Sequence, residues 1–470
     1  MIKTCRVETS FRHNTTKRSN ILPFQTKEDY RPDFKNDGFK KVIGEYSRLE
    51  CKKELKKEVK AKEIIEEIIS NIFEKSDIDF HNDDINGKRY LKKIIKEYIS
   101  NDQEELDLFH PYSFLYLPKS NNNKKRGEEE IAKFFKDVLI SDENSELKNK
   151  IVEFFDNDKS KHPIINLILM NLPKDIFQDQ TSEKVVVEYN KKLNYITQQF
   201  EKDFIFTLEQ DDEFLTNNIE NIFAYYYFYY CTQLILRLDK KDVNFDEDIR
   251  LYYLLDTENN VDQRDAENGY NLVQKANKEL LSNINLIEHI NTLFGTEGLL
   301  YCEFKDEYDN LPKENKTEFI HYLKKWTNTY RNIRGLSEVK YDDFDDLINC
   351  LFESLTTKTS KKRLSGETKS RYALFFEDFA KEYFLKFHGS FGYILNITQE
   401  MLLLITSLCI QKEKILLNEL YEEYEKRGLY FDDKSKKEIV TILTRLNFID
   451  KKSDSGDAIY VRRILQIYKP

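Results

Sequence analysis

The chain has 470 residues and a net charge of −10, with 34% charged and 40% hydrophobic residues, including 29 Tyr and 33 Phe. Its length exceeds one compact core and suggests roughly three units at about 150 residues each; its apolar content excludes general disorder. The acidic balance argues against coating DNA through global charge and confines nucleic-acid contact to local basic patches, while 13 Gly and 8 Pro are too few for the turns of a β-rich protein.

The first twenty residues, MIKTCRVETSFRHNTTKRSN, are basic and lack an apolar stretch, so they are not a secretory signal and read as an extended cytosolic arm, with a mitochondrial-type presequence as the alternative. Between 55 and 73, Leu55, Val59, Ile65, Ile68, Ile69, Ile72 and Phe73 form an apolar stripe at helical spacing. The polar run KSNNNKKRG (119–127) marks a boundary, after which Ile131, Phe134, Phe135, Val138 and Leu139 restart the stripe. The run NIFAYYYFYYCTQLIL (221–236) has sixteen uncharged residues, short of the ~20 a membrane span needs, and its phenols want hydrogen-bond partners. It predicts a buried helix over about 219–238, with a further amphipathic segment around Leu251 to Leu255. No membrane partner is expected.

Two more helices are predicted from Phe344, Leu347, Ile348, Leu351, Phe352 and Leu355, and from Tyr372, Phe375, Phe376, Phe379 and Tyr383. The intervening TTKTSKKRLSGETKSR (356–371) carries a local charge of +5. Its Lys361, Lys362 and Arg363 are candidates for phosphate contact, set against the plainer reading of a solvated linker.

The last part of the chain changes character. Met401, Leu404, Ile405 and Leu408 predict one helix, started by Asn396 with Gln399 three places on. Leu416, Leu417, Leu420, Tyr421 and Tyr424 predict a second, ended by Gly428. Asp432 or Asp433 caps a third, carrying Ile439, Ile442, Leu443 and Leu446. Two β-prone runs, 448–452 and 458–464, flank SDSGDA as a hairpin. The fold class expected is mainly α: an N-terminal arm and helical region (1–120), a central helical domain (121–390) and a C-terminal winged-helix domain (391–470) of three helices plus a β-hairpin wing. Residues 434–463 have a net charge of +4. Lys434, Lys437 and Arg445 on the third helix, with Lys451, Lys452, Arg462 and Arg463 on the hairpin, are the candidate DNA-binding set. Winged helices also dock proteins, and both uses stay open on these residues.

No catalytic centre is expected. SGETKS (365–370) has Lys369 and Ser370 in the positions of a phosphate-binding loop, but Arg363 and Thr368 stand where it needs glycine. Asp33, Glu50 and Lys52 imitate the carboxylate–lysine set of metal-dependent nucleases at a spacing that arises by chance. Asp342, Asp343, Asp345 and Asp346 suit a helix N-terminus. The six Cys and seven His have no metal-ligand spacing, so no metal and no cofactor is expected, and Cys231 and Cys409 read as buried thiols.

The segments NITQEMLLLITSLCI and RGLYFDDKSKKEIVTILTRLNFIDKKSDSGDAIYVRRIL, with IFAYYYFYYCTQLILRL and LYYLLD, resemble the DptG (DndG) family of phosphorothioation-dependent restriction proteins. The resemblance covers about half of the chain and implies a cytoplasmic subunit of a bacterial or archaeal defence complex. It implies partners resembling DptF and DptH, which carry the nucleotide-hydrolysing machinery, and double-stranded DNA lacking sulfur modification as the target. It supplies no active site for this chain. A pure protein adaptor and a Mg-dependent nuclease subunit are the alternatives.

Overall fold

Phenols and aromatic rings in a chain with few turn residues are expected to pack between helices, and in the computed structural model most of the described ones do. The structure describes residues 21–56, 61–75, 85–100, 106–118, 127–140, 144–179, 189–239, 244–256, 268–296, 298–357, 365–451 and 459–464. Helices dominate: α1 (Phe34–Asp37), α2 (Lys40–Glu50), α3 (Ala61–Lys75), α4 (Ile85–Ile99), α5 (Gly127–Phe134), α6 (Ser145–Asp156), α7 (Pro163–Met170), α8 (Asn194–Leu208) and α9 (Asp212–Asp239) precede the middle of the chain. They are followed by α10 (Tyr270–Phe294), α11 (Tyr301–Asp309), α12 (Lys313–Arg334), α13 (Phe344–Thr356), α14 (Gly366–Tyr383), α15 (Gln399–Cys409), α16 (Leu417–Glu425) and α17 (Asp433–Arg445).

Short strands pin these helices together. β1 (Lys53–Leu55) pairs antiparallel with β2 (Phe177–Asp179). β5 (Tyr393–Ile397) lies between β4 (Leu385–Phe387), antiparallel, and β3 (Leu254–Leu255), parallel. β8 (Ile459–Arg462) lies between β6 (Lys414–Leu416) and β7 (Ile449–Lys451), antiparallel to both.

The tyrosine-rich helix α9 is the axis of the main core. Tyr225, Tyr226, Tyr227, Phe228 and Tyr230 are wholly buried, and most of their hydroxyls find partners, as burial demands. Tyr225 donates to the Arg427 carbonyl (2.5 Å), Tyr226 to Asp203 (2.5 Å) and Tyr229 to Asp248 (2.6 Å), while Tyr230 accepts from the Lys192 amide (2.7 Å). One apolar cluster runs from Ile21 to Val461 and includes residues of α2, α5, α8, α9, α14, α15 and α17. The C-terminal elements therefore share a core with the central helices, on both sides of the Gly389–Phe391 turn. Two further sizeable clusters exist: one among residues 55–177, the other among residues 286–355.

Several sequence expectations shift. The stripe from 55 to 73 divides, because Leu55 belongs to β1 and the helix begins at Ala61. Leu251–Leu255 is extended, ending in β3. Asn396 lies inside β5, and Thr398 caps α15 by accepting from the Met401 amide at 3.1 Å. The expected second C-terminal helix loses its start to β6, a strand too short for periodicity to reveal. Cys231 and Cys409 are buried free thiols, and burial pushes the Cys409 thiol up to about 12.

Candidate nucleic-acid interface

α17 is shaped by its two faces. Asp432 caps it, its carboxylate accepting from the Lys434 and Ser435 amides at 2.9 and 2.7 Å. Ser435, Ile439, Ile442 and Leu443 face the core. Lys434, Lys437, Thr441, Thr444 and Arg445 lie on the opposite, exposed side. Lys436 folds back over the Tyr421 ring, 5.2 Å from its centroid. Arg445 donates to the Gln399 side chain on α15 at 2.7 Å, which orients the guanidinium along the helix surface. Three cations and two threonines thus share one solvent face, while the first-turn amides of Lys434 and Ser435 are taken up by the Asp432 carboxylate.

The adjoining sheet adds a smaller contribution than its sequence promises. In the β6–β8 register Lys414 stands beside Arg462. Asp450 on β7 lies 3.5 Å from each of these cations. Against a raising effect of desolvation, Arg462 and then Lys414 hold the Asp450 carboxyl below the ordinary range. Arg462 is exposed, whereas Arg463 turns the other way. The Arg463 guanidinium stacks 5.2 Å from the Phe206 centroid and donates to Gln210 at 3.3 Å, docking against α8. Successive residues of an extended strand point to opposite faces, so this arginine pair cannot act as one patch. The Lys451 side chain, Lys452, Lys361, Lys362 and Arg363 lie outside the described residues. Lys414 and Gln399 are the neighbours that sequence reading missed: Lys414 gains meaning only through strand pairing with a residue 48 positions away.

The enzyme-like motifs do not assemble. Asp33 caps α1, accepting from the Asn36 amide and side chain at 3.3 and 2.9 Å. Glu50 lies at the far end of α2, and burial raises its carboxyl above the usual range. Lys52 sits in a left-handed turn at φ 52° leading into β1. Asp33 precedes α1 whereas Glu50 ends the eleven-residue α2, a helix about 16 Å long. Lys369 is paired with Glu279 at 2.9 Å, and Asp343 caps α13 through the Asp346 amide. Among the described residues no group of three or more His, Cys, Asp or Glu side chains is placed to hold a metal ion, and no described helix is long and apolar enough to cross a membrane.

No protein-family model matches the chain. No curated protein matches it in sequence.

Proposed function

We propose that the chain is a non-catalytic, DNA-contacting subunit of a phosphorothioation-dependent restriction complex, with residues 399–462 forming a winged helix. The order helix, strand, helix, helix, two-stranded hairpin, with β8 central in the sheet, supports that reading of the topology. The observation that carries DNA contact is the exposed cationic face of α17, with Lys434, Lys437 and Arg445 on it. The restriction role, the cytoplasmic setting and the DptF-like and DptH-like ATPase partners rest on the sequence resemblance.

The test uses the full chain, because the α17 unit shares its core with the central helices. Anisotropy of a labelled 20-base-pair duplex is measured over a salt series. Lys437→Glu with Arg445→Glu is expected to weaken binding and to flatten the log K against log salt slope by about 2, at ~0.9 per phosphate contact. Unchanged affinity at low salt overturns DNA contact through this face. The Asp450 carboxylate between Lys414 and Arg462 favours the adaptor reading for the sheet end; in that case a DptF-like or DptH-like partner protects this surface from hydrogen exchange and duplex does not.

A further inference from the structure

The helix α4 carries a pattern that its own folding does not require. Ile95 and Ile99 are wholly buried and hold it against the smaller apolar cluster. On the exposed side, Arg89, Lys92, Lys93 and Lys96 occupy i, i+3, i+4 and i+7. That spacing lays four cations along one seam, with about 10 Å of rise from first to last. Cations at i, i+4, such as Arg89 with Lys93 and Lys92 with Lys96, oppose helix formation by a few tenths of a kcal/mol each. Among the described residues of α4, Glu97 is the exposed acid, and it lies 3.6 Å from Lys93. Beside the seam, Tyr90 is 67% exposed and Ile94 is 40% exposed. A protein of net charge −10 thus concentrates positive charge and a solvent-facing aromatic ring on one helix face.

We infer that α4 is a binding site for single-stranded nucleic acid, its cationic seam following the phosphates while an unpaired base stacks on Tyr90. Three considerations select this occupant. Lysine is depleted from protein–protein interfaces, whereas lysine and arginine dominate phosphate-backbone contacts. A seam of about 10 Å is long enough to follow a short run of consecutive backbone phosphates. Duplex bases are already stacked inside the helix, so an exposed ring next to phosphate-binding cations suits an unpaired base. The site is independent of α17: its cluster is built from residues 55–177 and includes none of the C-terminal elements.

The experiment uses the full chain and a fluorescein-labelled oligo-dT of about 15 nucleotides, in the range one single-strand site occupies. Lys92→Ala with Lys93→Ala and Lys96→Ala is expected to weaken binding and to flatten the salt slope by about 2, at ~0.7 per phosphate on a single strand. Tyr90→Ala is expected to weaken binding roughly 5- to 100-fold with the slope unchanged, and Tyr90→Trp to retain it. Alanine is the best helix former, so an unchanged circular dichroism spectrum separates lost contact from lost fold. Wild-type affinity of the triple variant at low salt overturns the site. An unaltered affinity of Tyr90→Ala, or displacement of oligo-dT by poly-glutamate at equal charge concentration, overturns nucleic acid as its occupant and points to an acidic protein segment. The Lys437→Glu, Arg445→Glu chain is carried through the same titration. Loss of duplex binding there with oligo-dT binding intact is the expected result, and it keeps the fate of this site distinct from that of α17.

Discussion

Single residues fasten the C-terminal elements to the rest of the chain. Arg427 and Asp203 form an ion pair at 2.6 Å with side chains 2% and 0% exposed. Tyr226 and Gln199 also donate to that carboxylate, and Arg427 reaches the Leu408 carbonyl and Glu423. Removing one partner strands a buried charge, so Asp203→Ala should cost about 3–5 kcal/mol in urea unfolding, while replacing both by apolar residues should recover most of it. Asp248 supplies a pH signature. Burial raises its carboxyl above the ordinary range, against hydrogen bonds from Tyr195 and Tyr229, the Arg237 charge and a hydrogen bond from Tyr430. The folded state therefore holds the proton more tightly than the unfolded chain. The associated stability is complete below the unfolded pKa and is lost as pH rises through the folded one. Asp248→Asn removes this titration, so its stability curve should lack the decline across that acidic window. Parallel curves for both proteins would show that Asp248 does not titrate in this way.

At the level of elements, the turn after α16 is the most constrained. Gly428 has φ +79°, and a Cβ there would stand 2.2 Å from the Tyr229 ring. Gly428→Ala should thus cost more than the about 1–2 kcal/mol of a left-handed alanine alone, because a ring tied to Asp248 must also move. A thermal midpoint equal to wild type would contradict this. The same turn illustrates what the sequence reveals. Gly428 as a chain-reversal residue, Asp432 as a cap, and the helices from Phe344, Tyr372 and Ile439 are legible because their signals are local. β6 and β3 are not, since two or three residues become strands only through partners far along the chain. The candidate interface divides in the same way. The exposed face of α17 follows from helical period, whereas the diversion of Arg463 onto Phe206 depends on a helix more than 250 residues upstream. The α4 seam was present in the sequence as R-x-x-K-K-x-x-K, but its meaning depends on which side the buried isoleucines take.

At the level of the molecule, α10 decides whether the chain unfolds as one unit. Tyr270, Val273, Leu280 and Ile287 belong to the main core, while Leu286, Ile290, Leu293 and Phe294 belong to the cluster of α11, α12 and α13. A continuous helix shared by two cores transmits loss of one to the other. The Lys192–Glu303 pair also spans the two, but Glu303 is 36% exposed and such pairs contribute little. The chain contains a single tryptophan, Trp326, which is buried in the second cluster and donates to His289 at 3.3 Å. Its fluorescence reports that cluster alone, whereas far-ultraviolet circular dichroism reports all helices. The two urea transitions should coincide in the wild-type chain. Asn285 lies on α10 where the two cores meet, so Asn285→Pro, which breaks the helix there at a cost of about 3 kcal/mol or more, should split them. The fluorescence transition then moves to lower urea and the dichroism becomes biphasic. Coincident curves in the proline variant would mean that contacts other than α10 carry the coupling.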